Sequence, residues 1–201
     1  MIAIVDYGMG NLGSIQNMLR RVGVDSEVSG DPERLRRATK LILPGVGAFD
    51  QAMARINGSG IRTVLDHKAL VERVPVLGIC LGMQLLTRDS EEGREPGLGW
   101  IPAVTRRFPA RDGLKVPHMG WNIVRPTTPS PMTRGFDGEV RFYFVHSYRV
   151  TVDRTEHSML KTTYGEEFDS AIQADNVFGA QFHPEKSHRF GVKFLANFAA
   201  L

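Results

Sequence analysis

The chain reads as an α/β protein: three layers, with a central, mostly parallel sheet flanked by helices and an additional antiparallel or mixed sheet layer. Three observations predict this. Residues 2–87 alternate short apolar runs with helical patterns, the signature of parallel strands joined by helical crossovers. From about 98 to 182 the pattern changes to short strands broken by Gly, Pro, Asp and Asn. The last dozen residues return to helical spacing.

In order, the first half predicts a strand at 2–6, a helix near 12–22, a strand at 24–28, a helix near 32–38 and a strand at 40–43. Helices within 48–73, a strand at 75–79 and a helix at 81–87 complete it. Asn11 or Ser14 is placed to cap the first helix, and Asp31-Pro32 supplies cap and first residue of the second. The second half offers strands at Arg141 to Val145, Phe168 to Ile172 and Val177 to Phe182. Phe190, Phe194, Leu195 and Phe198 then share one face of a closing helix.

A length of 201 residues fits one domain, 1–201, with a sizeable core, and 42% hydrophobic with 23% charged content is ordinary for a soluble globular protein. The net charge of +3 is too small, and its arginine pairs (Arg20-Arg21, Arg36-Arg37, Arg106-Arg107) too scattered, for a nucleic-acid footprint. One cysteine excludes an internal disulfide. The opening Met-Ile-Ala-Ile-Val-Asp lacks the basic start and the long apolar run of a signal peptide or membrane span, so a cytoplasmic protein without a membrane partner is expected.

That single cysteine carries the chemistry. Cys80 lies in Gly78-Ile79-Cys80-Leu81-Gly82, between an apolar strand and a helix, which repeats with sulfur the strand-turn-helix elbow that lifts a nucleophile out of a sheet edge. A thiol that is only a few per cent ionised at neutral pH needs an imidazole neighbour. Of six histidines, His183 stands out, because it follows an apolar strand in Gln181-Phe182-His183-Pro184-Glu185. In an extended segment residues two apart face the same side, so Glu185 is expected to bond one ring nitrogen and leave the other for the thiol.

An acyl-transfer site also needs backbone donors for a developing oxyanion. Leu81, the residue after the nucleophile, is expected to supply one, and the loop Gly45, Val46, Gly47 after an earlier strand the other. No metal site is expected, since Cys80 has no second cysteine and the histidines lack helical His-x-x-x-His spacing. Gly8-Met9-Gly10-Asn11-Leu12-Gly13 fits a dinucleotide fingerprint, yet Asp6 and Tyr7 crowd its mouth and Glu27 falls inside a strand. A tight turn or a partner contact is the reading preferred for these glycines. Taken alone, a cysteine triad suits a peptidase or thioesterase as well as an amidase.

With these residues assembled, the chain resembles the class I glutamine amidotransferases, which carry Gly-x-Cys-x-Gly and a late His-Pro-Glu. Asp6 to Leu12, Pro44 to Phe49, Val116 to Asn122, Tyr143 to Tyr148 and Phe182 to Ser187 narrow the likeness to the glutaminase subunits of imidazole glycerol phosphate synthases. A glutaminase that feeds another synthase, such as that of vitamin B6 synthesis, is the nearest rival. The resemblance implies glutamine as substrate, no cofactor, and a pocket lined by Gln84, His146, Ser147 and Tyr148. It implies as partner a (β/α)8-barrel cyclase that consumes the ammonia in a heterodimer, with Trp121, Tyr143 and Lys186 at or near the interface. His188 and Arg189 are less typical of these glutaminases.

Overall fold

A computed structural model describes residues 1–201. Its parallel half contains β1 (Ile2–Val5), α1 (Leu12–Arg21), β2 (Ser26–Ser29), α2 (Pro32–Arg36), β3 (Lys40–Gly45), α3 (Phe49–Gly58), α4 (Arg62–Asp66), β4 (Val76–Cys80) and α5 (Leu81–Leu85). The second half adds β5 (Ala103–Arg107), β6 (His118–Pro126), β7 (Val140–His146), β8 (Tyr148–Val152), β9 (Ser158–Tyr164), β10 (Glu166–Ala174), β11 (Val177–Ala180) and α6 (His188–Ala199).

The sheet order is β2-β1-β3-β4-β11-β10-β9-β6-β7, and β8 pairs with β10 and β5 off this path. Pairing is parallel from β2 through β4 to β11 and antiparallel beyond, so the fold is the expected α/β arrangement of a mixed sheet flanked by helices. The antiparallel strands are not a detached layer, because β11 bonds to β4 on one side and to β10 on the other. Strands β1 and β4 are buried along their whole length, as strands covered on both faces must be. Ala3, Val5, Leu41 and Leu43 pack under α3, α4 and α5, while Ile2, Ile4, Ile42 and Leu77 pack under α1 and α6. Phe194, Leu195 and Phe198 of α6 are fully buried, with Phe190 packed at the margin.

Several local expectations need correction. Asn11 occupies the N-cap of α1 without a side-chain capping bond, and Ser14 lies inside the helix. Asp31 does cap α2, accepting from the Glu33 N–H at 2.9 Å. β11 stops at Ala180 rather than Phe182: the Gln181 N–H still donates to the Ser170 carbonyl of β10 at 2.9 Å, and the chain then leaves β10 for β7, with the His183 N–H donating to the Tyr143 carbonyl at 2.9 Å. No helix is long and apolar enough to cross a membrane.

Candidate active site

The parallel sheet gathers the predicted residues at the carboxyl ends of three adjacent strands. Gly45 ends β3 in register with Cys80 at the end of β4, and Ala180 of β11 is in register with Ile79. Cys80 adopts φ 56° and ψ −111°, a conformation that a residue with a Cβ rarely takes. Such strain persists only where the surroundings impose it, and here close packing does so. A Cβ on Gly82 would lie 1.8 Å from the Leu43 carbonyl oxygen, and one on Gly78 would lie 2.6 Å from that of Gly82. The two glycines let the first turn of α5 press against β3 and β4, which turns the Cys80 side chain out of the sheet.

His183 reaches the site by the departure of the chain from β10 towards β7. Its Nδ1 lies 2.8 Å from Glu185 Oε1, with side-chain exposures of 2% and 1%. The geometry differs from the extended pair expected, since Pro184–Lys186 form a 3-10 turn that swings the carboxylate back under the ring. Ser187 clamps this turn: its hydroxyl donates to the His183 carbonyl at 2.6 Å and accepts from the Tyr143 N–H at 3.0 Å. Burial pulls the His183 pKa down, but pairing with the Cys80 sulfur and with Glu185 outweighs it and lifts the value to about 9. Nε2 has no hydrogen-bond partner within the usual limit and is the ring atom left to exchange a proton with the thiol.

A cavity of about 360 Å³ opens onto Cys80 and His183. Val46, Gly47, Leu81, Gln84, His146, Ser147, Tyr148 and Lys186 all line it. Gly45 is buried behind the wall, and Glu185 lies behind His183. Trp121 and Tyr143 lie outside the cavity, with ring centroids 6.2 Å apart, and Lys186 Nζ sits 5.9 Å from the Tyr143 ring. No group of three or more His, Cys, Asp or Glu side chains is placed to hold a metal ion. The fingerprint glycines form a tight turn: Gly8 and Gly10 have φ of 81° and 125°, and Asp6 Oδ1 accepts from the Gly8 N–H.

Sequence reading missed Glu92, the single carboxylate that lines the cavity. It accepts from the Phe49 N–H at 3.0 Å, and burial together with the neighbouring Asp50 charge holds its carboxyl above the usual range against that bond. It belongs to an irregular stretch without periodicity, so no sequence signal marked it.

Comparison with known proteins points to one family. Residues 3–200 match the family Glutamine amidotransferase class-I. The chain is 50% identical over 198 residues to the imidazole glycerol phosphate synthase subunit HisH 2 of Methanococcus maripaludis, covering 98% of each. It is 50% identical over 201 residues to the protein of the same name from Pseudomonas aeruginosa, covering all of both. In fold it resembles PurLQS from Thermotoga maritima, with a TM-score of 0.77 at 19% identity, over 98% of this chain and 96% of that one. A glutamine amidotransferase from the same organism gives 0.65 at 18% identity, over 96% and 79%. The chain belongs to the class I glutamine amidotransferase family, in the group that contains the two HisH proteins.

Proposed function

We propose that the chain is the glutaminase subunit of an imidazole glycerol phosphate synthase, one cytoplasmic domain spanning 1–201, and that Cys80, His183 and Glu185 are its catalytic triad. The observation that carries the reading is the strained Cys80 elbow opening on a cavity beside a buried His183–Glu185 pair. In this mechanism the Cys80 thiolate attacks the side-chain amide carbon of glutamine. The Leu81 N–H and the Gly45, Val46, Gly47 loop receive the oxyanion. Protonated His183 gives its proton to the amide nitrogen, the C–N bond breaks, and ammonia leaves a glutamyl thioester. His183 then takes a proton from water, whose oxygen attacks the thioester, and glutamate departs as the thiol re-forms.

The cavity chemistry suits glutamine. Both Gln84 Nε2 protons are committed, to the Tyr148 carbonyl at 3.3 Å and to Gln181 Oε1 at 3.1 Å, which leaves Oε1 to accept from a substrate. Glu92 offers a carboxylate to an α-ammonium group, and His146, Ser147 and Tyr148 line the same cavity.

In the same proposal the ammonia passes to a (β/α)8-barrel cyclase that forms imidazole glycerol phosphate. The outer face of β6 and β7 supports a docking surface there. Met119, Trp121 and Ile123 are exposed at alternate positions of β6, opposite Val145, Tyr143 and Arg141 of β7, and Lys186 borders them at the cavity mouth. Gly47, at φ 100°, lets the oxyanion loop reorient when the partner binds. Ammonia release from glutamine, absent in Cys80→Ala, tests the chemistry. Turnover of the chain alone, with the cyclase, and with cyclase plus its ligand tests the coupling; equal turnover in all three sinks it.

A further inference from the structure

We propose that Gln181 is a further catalytic residue, whose side-chain amide donates a hydrogen bond to the Cys80 sulfur and favours its ionised form. The inference rests on Cys80 being the nucleophile. Gln181 is fully buried immediately after β11, and its Nε2 lies 3.8 Å from Cys80 Sγ, an N–H···S distance. Hydrogen bonds made to a charged form favour that form.

The surroundings fix which end of the amide faces sulfur. Gln181 Oε1 accepts from Gln84 Nε2, so a flipped amide would set two –NH₂ groups against each other and an oxygen against the sulfur. The Gln84 orientation is fixed in turn by the Tyr148 carbonyl, which can only accept and which takes bonds from Gln84 Nε2 and from His146 Nδ1 at 2.7 Å. His146 therefore carries its proton on Nδ1, and its Nε2 accepts from His118 Nδ1 at 2.9 Å. His118 Nε2 accepts from Asn122 Nδ2 at 3.2 Å. Two arms of hydrogen bonds thus meet at the Tyr148 carbonyl, which accepts from both; one begins on β6, and the other runs from Gln84 to the nucleophile with Gln181 as its last link. An amide kept only to fill the core would need neither this orientation nor the sulfur contact.

The test is the pH dependence of Cys80 alkylation by iodoacetamide in the full chain, followed by mass spectrometry, with steady-state glutaminase assays. Gln181→Met keeps the bulk and removes the donor, and Gln181→Asn keeps an amide too short to reach the sulfur. Both are expected to move the alkylation midpoint to higher pH and to lower kcat by about tenfold with KM unchanged. An unchanged midpoint and kcat in both overturns the proposal, whereas a wild-type Cys80 that forms no glutamyl thioester overturns the nucleophile reading instead. Side-chain amide NMR of the unsubstituted chain carries no folding risk. The Gln181 Nε2 proton resonances are expected to move as the thiol ionises, and resonances constant through that titration overturn the proposal.

Discussion

His183 and the pair His118–His146 are all buried, yet the two regions drive imidazole in opposite directions. At the end of the parallel strands, pairing with Glu185 and the Cys80 sulfur lifts His183 to about 9 in spite of burial. On β6 and β7, burial alone lowers His118 to about 4, and burial aided by neighbouring His118 and His183 lowers His146 to about 3 against its bond to Tyr148. Burial by itself yields a neutral ring suited to holding a fixed place in a hydrogen-bond chain; burial beside the Cys80 sulfur and a carboxylate yields a proton store. The difference lies in the Cys80 sulfur and in Glu185, a side chain delivered by one 3-10 turn.

Removing that side chain's charge is the largest way to break the contrast. Glu185→Gln keeps the shape and leaves His183 with burial unopposed on that side, so glutaminase kcat is expected to fall by about 10³-fold or more. Steady-state ammonia release checks it, and a loss below tenfold would contradict the role given to the carboxylate. Gly82→Ala attacks the packing that imposes the elbow. Its Cβ has no room against the Leu43 carbonyl, so a loss of about 1–3 kcal/mol in denaturant unfolding is expected, along with lower activity.

Acid and alkali separate the two regions without mutation. His183 has a folded pKa above its ordinary 6.5, so its contribution to stability is complete below that value and lost as pH rises through about 9. His118 and His146 have folded values below 6.5, so theirs is complete above it and lost as pH falls through about 4 and 3. Imidazole NMR should show His183 titrating last and the other two still neutral near pH 5. The smallest effect on the isolated chain is expected for Trp121→Ala. Trp121 is 43% exposed and its ring stacks on His188 at 5.5 Å, so unfolding should change by less than about 1.5 kcal/mol. Binding of the cyclase should weaken by about 2 kcal/mol or more in titration calorimetry.

Legibility follows the same division. The parallel half is readable because local signals coincide there: buried strands announce themselves as apolar runs, and the elbow needs its two glycines; His-x-Glu, after β11, is readable because it is contiguous. Glu92 and the Gln181 contact are not legible, since each acts across space, Glu92 from an aperiodic loop and Gln181 as one glutamine in an apolar strand end. The His118–His146 bond joins residues 28 apart on paired strands, and only the β6–β7 register sets it. The turn carrying Glu185 reads as extended in the sequence because Pro184 permits both an extended residue before it and a helical turn after it.

The proposed chemistry turns on Cys80 attacking glutamine with His183 as its proton partner. Acid-quenching the chain during turnover and mapping adducts by mass spectrometry reads that step out. A glutamyl group on Cys80 is expected with glutamine, accumulating when hydrolysis is slowed. Ammonia release with no adduct on Cys80, or undiminished release by Cys80→Ala, would contradict it.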